Sequence, residues 1–395
     1  MKKIVAVFFF LLFFIIVFLP QNAFASQNKE DIEEKLEQNI QIQLDNLDFS
    51  VSQSIFDQLD EENKKLFGTD SFLQKVEQIL NGDFIQNSDG FINAFFKLMF
   101  DQILKLLPVL ASIAVISILC GLISQLKSGF LSDTTSQIIF FVCFSIIIVL
   151  VLTSVTNLLN TTKSTILSMK TQMNFAFPVL LTLMAGIGGS ISVKAYQPSI
   201  ALLSGGIVEI ITNVILPLFI FSFVFAMISN LSKNVKLNKL TDFFKSGTNT
   251  ILVVTFTLFT AFLSIQGLTA GTFDSISIRA AKFATKSYVP ILGGYLSDGF
   301  DLILASSVLI KNSVGIAGLL LLICTIISPI LQILAFSFGL KFVSAVIEPV
   351  TDERISSFLA SVSKHVNMLI VSILAVAFMY FICVMLLIFT SNAFF

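Results

Sequence analysis

The stretch QGLTAGTFDSISIRAAKFATKSYVPILGGYLSDGFDLILASSVLIKNSVGIAGLLL, residues 266–321, decides how this chain is read. It places Arg279, one of two arginines in the chain, and then Lys282, Lys286, Asp298, Asp301 and Lys311 into a sequence that is otherwise mostly hydrocarbon, with Gly293 and Gly294 just past Pro290. Charge carried into hydrocarbon costs roughly 2.5–3.5 kcal/mol per group on insertion scales. Function is therefore expected here first.

The rest of the chain supplies that hydrocarbon. Of 395 residues, 55% are apolar and 12% charged, and the mean hydropathy is +0.91, which assigns the chain to the membrane class. The near-neutral net charge hides an asymmetry. Residues 26–90 hold 15 of the 25 acidic side chains against five lysines, a net of −10, while residues 91–395 are net +7. Cys120, Cys143, Cys324 and Cys383 all lie in apolar runs without metal-ligand spacing and read as small core residues.

At the amino terminus, Met1-Lys2-Lys3, the apolar run Ile4 to Leu19 and Ala23-Phe24-Ala25 follow the plan of a secretory signal cleaved after Ala25. Residues from Ser26 onward are then expected outside the cytoplasm. Ile32, Leu36, Ile40, Leu44, Leu47, Val51, Ile55 and Leu59 recur at steps of three and four, the mark of one face of an amphipathic helix or helix pair. Its other face is acidic, and an anionic membrane would repel it. A protein surface, such as the chain's own membrane domain, is the expected cover; a small cap without a partner is the bland alternative. Between Phe91 and Leu107, Lys97, Asp101 and Lys105 share one face, which suits a helix at the membrane surface before the first crossing.

About 20 apolar residues span a bilayer core. Candidate spans are Leu106–Leu126, Ile138–Leu159, Phe175–Ser192, Ser204–Ser229, Thr250–Thr269, Val289–Ile310, Val314–Leu340 and Val366–Thr390. Six are strong, and Val289–Ile310 is expected to be broken or re-entrant. The fold class expected is an all-α, polytopic helical membrane protein with a signal peptide at 1–25, an acidic extracytoplasmic helical segment at 26–90 and a multi-pass domain at 91–395. Loop 230–246, with Lys233, Lys236, Lys239 and Lys245, and loop 271–288, with Arg279, Lys282 and Lys286, compete for the cytoplasmic side, because positive loops favour it. Pro178 and Pro290, Pro217 and Pro329, Lys170 and Lys282, and Gly206 and Gly318 share one offset of 112 residues. They suggest an internal repeat, 138–247 against 250–365, inverted if each unit crosses an odd number of times.

Glu209 is the one carboxylate within a strong apolar segment; it reads either as an ion or proton site beside Gly205-Gly206 or as an acid reaching interfacial water. Asp298 and Asp301 share a helical face with Lys311, a pattern for a polar path or, more commonly, for ion pairing between helices. His365 beside Lys364 reads as an interfacial side chain at the mouth of the last helix. No phosphate-binding loop, dinucleotide fingerprint, HExxH or GxSxG occurs, so no catalytic, cofactor or metal residues are assigned. Nucleic-acid binding has no basic stripe to rest on.

AGTFDSISIRAAKFATKSYVPILGGYLSDGFD followed by LIKNSVGIAGLLLL resembles the stage III sporulation protein AE family of endospore-forming bacteria, and the layout of the whole chain is similar to it. The resemblance implies a multi-pass subunit of the complex built in the mother-cell membrane around the engulfed forespore. Products of the same operon and a forespore membrane protein would be its partners in a channel-like connection needed for late forespore development. Arg279, Lys282, Pro290, Gly293, Gly294, Asp298, Asp301, Lys311 and Asn312 match the family signature by type. A secondary transporter and a non-conducting scaffold are the competing readings.

Overall fold

The computed structural model describes residues 29–82, 88–125, 133–231, 237–288 and 293–392. Regular structure among them is helical throughout, and six helices are long and apolar enough to cross a membrane. The chain is an all-helical, multi-pass membrane protein. The signal peptide expected at 1–25 lies outside the described residues.

The chain divides into two compact units, residues 1–46 and 47–395. In the first, the described residues form the acidic helix α1 (Lys29–Asp45). The apolar stripe read from the sequence continues in the second unit as α2 (Ser50–Asp57), so it is a helix pair. The Ser50 N–H donates to Asp48 Oδ1 at 2.9 Å in the turn between them.

Two short helices follow, α3 (Glu61–Phe67) and α4 (Phe72–Leu80). Gly68, with φ at +82°, ends α3 in the left-handed conformation that side chains resist. Ser71 caps α4, its hydroxyl accepting the Gln74 N–H at 3.1 Å. Ile55, Phe56, Leu66, Phe67, Phe72 and Val76 are buried, with the rings of Phe56 and Phe67 5.1 Å apart. Burying each such side chain contributes about 1.5–3 kcal/mol. These three helices form a cap that packs on the membrane helices α5, α6 and α9 described next, so the chain's own membrane domain covers the part of the stripe that lies on α2. Glu62 ties the cap down by accepting from Lys97 Nζ at 2.7 Å and Lys65 Nζ at 3.1 Å.

The long helices are α5 (Ser88–Gln125), α6 (Asp133–Gly186), α7 (residues 190–231), α8 (Asn238–Tyr288), α9 (Gly293–Ile347) and α10 (Glu353–Asn392). The surface helix expected at Phe91–Leu107 is instead the first part of α5, which runs on through Pro108. Two of its polar side chains have protein partners, Lys97 at Glu62 and Gln102 at Ser328 (3.0 Å), and these hold it to the bundle.

Two pairs of candidate spans are likewise continuous. Ile138–Leu159 and most of Phe175–Ser192 belong to α6, because the polar residues between them satisfy themselves within the helix. Thr156, Thr162 and Thr165 donate to carbonyls one turn earlier at 2.7–2.8 Å. A turn with Gly188 at φ +91° then reverses the chain. Val289–Ile310 and Val314–Leu340 merge from Gly293 onward into α9, without the break expected there; residues 289–292 lie outside the described part. His365 sits a dozen residues inside α10, not at its mouth, and is buried with Nδ1 2.9 Å from the Ser361 carbonyl.

Helices α9 and α10 form the centre, and α5, α6, α7 and α8 pack around them. Serines allow the central pair to approach closely. Ser337 and Ser363 exchange hydroxyl-to-carbonyl hydrogen bonds at 3.1 and 2.8 Å, and the Ser344 hydroxyl donates to the Ser356 carbonyl at 2.8 Å. Gln102 on α5 and Gln172 on α6 grip α9 beside Pro329, at Ser328 and Thr325.

Two outcomes are expected from this architecture. Lys239 and Lys282 lie on one helix, 43 residues and so about 65 Å apart. Single cysteines at these two positions will be labelled from opposite faces of the membrane, and labelling of both from one face would contradict a single crossing by α8. The hydrogen bond from Lys97 holds the Glu62 carboxyl below its ordinary value of 4.5. Its contribution to cap docking is complete above that value and is lost as pH falls through the lowered native pKa. Hydrogen exchange in residues 50–80 will therefore accelerate on acidification, and Glu62→Gln will remove that acid step while loosening the cap at neutral pH.

Candidate functional site

The polar stretch 266–321 occupies the end of α8 and the start of α9, where they meet the start of α7 and the last turns of α10. Two charges from it are fully enclosed. Asp274, on α8, is 0% exposed and accepts the N–H of Ile191 at 3.0 Å and of Ser192 at 2.8 Å, the first free amides of α7. A helix start leaves such amides without partners and carries partial positive charge, so a carboxylate there answers both needs. Lys311, on α9, is also 0% exposed; its ammonium donates to the Leu387 carbonyl at 2.8 Å and the Ile388 carbonyl at 3.1 Å. This is the opposite pole, a cation at the carboxy-terminal end of α10.

Neutral groups join the same region. The hydroxyls of Tyr196 and Thr390 are 2.8 Å apart, linking α7 to α10, and Ser199 donates to the Gln266 side-chain carbonyl, linking α7 to α8. Gly315 permits the close approach that Lys311 needs, since a Cβ there would lie 2.7 Å from Ile388 Cδ1. Ile187, Leu304 and Val308 fill the apolar space beside the Gly188 turn.

Of the residues singled out from the sequence, Lys311 belongs to this cluster, and Asp301 and Asn312 are half-buried on the same helix. Gly293 and Gly294 open α9. Arg279, Lys282 and Asp298 lie on α8 and α9, with side chains outside the described set, as is Pro290 altogether. Glu209 is elsewhere. It lies between two widened π-helical turns of α7, Leu202–Ile207 and Ile211–Ile215, with its side chain 63% exposed and 3.4 Å from Lys170. Gln172, two residues on from Lys170, bonds Thr325 at 2.7 Å, and Thr325 is 14 residues, about 20 Å, along α9 from Lys311. Glu209 is thus an outward-facing acid on α7 paired with Lys170 of α6.

Asp274 and Tyr196 were missed. The signal for Asp274 was present, as a carboxylate in the quoted stretch and a glycine-rich turn before Ser190, but pairing the two needs the fold. Chemically, the cluster clamps helix ends. Among the described residues, no three His, Cys, Asp or Glu side chains come together to hold a metal ion.

Asp274→Ala will leave two amides of α7 without acceptors and lower stability by about 1–2 kcal/mol. Asp274→Asn, which keeps one acceptor, will cost less. Thermal unfolding in detergent reads the order, and equal stability of all three proteins would show that the clamp carries no load.

No solved structure matches this chain. A curated protein described as stage III sporulation protein AE, from Bacillus subtilis (strain 168), is 27% identical over 315 residues, covering 80% of this chain and 79% of that one. The family model of stage III sporulation protein AE matches residues 71–391, which takes in α4 of the cap, all six long helices and both helix-end clamps. On that extent of agreement, this chain belongs to the stage III sporulation protein AE family and has a role in sporulation.

Proposed function

We propose that this protein is a non-enzymatic membrane subunit of the channel complex joining mother cell and forespore, needed for late forespore development during endospore formation. The observation carrying this reading is the family match across residues 71–391, which covers nearly the whole membrane part and the polar stretch within it. In this reading the protein sits in the mother-cell membrane around the forespore, with residues 26–90 outside the cytoplasm. Its partners are other channel proteins of the same operon and a forespore membrane protein, in a hetero-oligomer surrounded by lipid.

One specific observation favours a scaffolding role within that complex over conduction through this chain. Asp274 and Lys311 are enclosed and engaged with helix ends, where they order the bundle. The secondary-transporter reading rests on the proline spacing of the two half-chains. Each half carries two long helices joined by a short connection, and an even number of crossings per half gives repeats of the same sense.

Deletion of the gene in the native host is expected to leave growth intact and block sporulation after engulfment, whereas an uptake defect during growth would overturn the assignment in favour of transport. Neutralising Glu209, Asp298 and Asp301 together separates the remaining readings. Normal spore yield supports the scaffold. A block with normal membrane insertion and partner assembly supports a conduit.

A further inference from the structure

Helix α7 widens twice, at Leu202–Ile207 and Ile211–Ile215, and these π-helical turns straighten one of its faces. In an α-helix, residues four apart drift by about 40° around the axis. A π-helical turn takes up more residues than an α-turn, which cancels the drift. Exposure on α7 accordingly recurs at steps of four. Leu202, Gly206, Ile210 and Val214 are exposed in one row, Ala201, Glu209 and Asn213 are exposed in the row beside it, and Leu203, Ile207, Ile211 and Ile215 are buried behind them. Bonds within the helix hold the widened turns: the Ser204 hydroxyl donates to the Ile200 carbonyl at 3.0 Å and the Thr212 hydroxyl to the Val208 carbonyl at 2.9 Å.

The clamps and the cap use none of these residues, and the seam they form has room for a second helix. A Cβ at Gly205 or Gly206 would meet nothing within 4 Å, so another backbone can come close there. Beside the glycines, Glu209 faces outward with Lys170 of α6 at 3.4 Å, and Asn213 follows one turn on. No single solvent suits this face. Lipid tails leave the carboxylate, the ammonium and the carboxamide unsolvated, whereas water leaves Leu202, Ile210, Val214 and Leu167 of α6 uncovered. The seam is also complementary to itself. It carries an anion and a cation side by side, and an amide that both donates and accepts. A copy related by a two-fold axis along the membrane normal therefore offers a cation to each Glu209 and an amide to each Asn213.

We propose that this seam of α7, with Lys170 beside it, is the interface through which two copies of the chain pair. The two α7 helices cross at Gly205 and Gly206. Each Glu209 accepts from Lys170 of the other copy as well as from its own, and the two Asn213 carboxamides bond across the axis. Pairing goes beyond the sporulation role and does not depend on it, since it is read as the oligomeric state of the purified protein.

The test uses full-length protein labelled in two colours and reconstituted into vesicles of phosphatidylethanolamine and phosphatidylglycerol. Wild-type protein is expected to give energy transfer that falls as lipid is added. Gly206→Leu should weaken association at least tenfold with an unchanged melting temperature in detergent, because a Cβ there enters open space within one copy. Glu209→Lys and Lys170→Glu should each pair poorly with themselves, and a mixture of the two should pair as the wild type does, a rescue that a role confined to one copy cannot give. Asn213→Cys should cross-link to its own copy under copper-phenanthroline oxidation, above the background of the native cysteines. Val149→Cys, exposed about 30 Å along α6 from Lys170, should not. If Gly206→Leu melts lower, the wild-type dilution and the mixture decide. Monomeric wild-type protein at every lipid ratio, undiminished association of a normally folded Gly206→Leu, a mixture that pairs no better than its components, or equal cross-linking at positions 149 and 213 would each overturn the proposal.

Discussion

The contact between α9 and α10 is the constraint on which the other helices depend. A helix of 55 residues that is apolar on every side has no face to offer water, so it must be enclosed by other helices or by lipid. Within a bilayer, lipid tails compete with side chains for such a surface, and close packing rather than hydrophobicity decides which helices associate. The serine pairs Ser337–Ser363 and Ser344–Ser356, and Gly315 under Ile388, bring the two backbones together. Once this pair is formed, α5 and α6 find hydrogen-bonding handholds on it at Ser328 and Thr325. Those handholds lie beside Pro329.

Charge in the polar stretch serves the same assembly. An ammonium enclosed without ligands would be ruinous in hydrocarbon, yet Lys311 has two carbonyls of a helix end to face. Asp274 has the complementary arrangement at a helix start. Each of these groups recovers in helix-terminal hydrogen bonds much of the hydration that it loses, and each joins elements far apart in sequence. Charge thereby becomes a means of fixing which helix ends meet, as polar groups do when they specify register in simpler bundles.

Much of the helix count was legible from the sequence, since runs of about 20 apolar residues have few other homes. Helix continuity was less so. Thr156, Thr162 and Thr165 look like a break when counted as polar residues, but their hydroxyls bond back to the preceding turn and leave the backbone helical. Gly293 and Gly294 likewise suggested interruption where the helix simply starts. The clamps were half legible: Lys311 was singled out by its charge, as part of a polar path or an ion pair, but its partner is a pair of main-chain carbonyls, which every residue possesses. No side-chain pattern can announce such a partner. Asp274 lay among so many small polar neighbours that its enclosure depends wholly on where Ser190 begins a helix.

The cap's attachment also sets how deeply the molecule can sit in lipid. Glu62 grips Lys97, five residues before Gln102, whose partner is Ser328 on α9. An acidic body fixed there resists entry into hydrocarbon. From Ser328 to the end of α9 at Ile347 is about 28 Å, close to one hydrocarbon thickness. The charged turn with Glu348, Asp352 and Arg354 falls at the opposite surface of that layer.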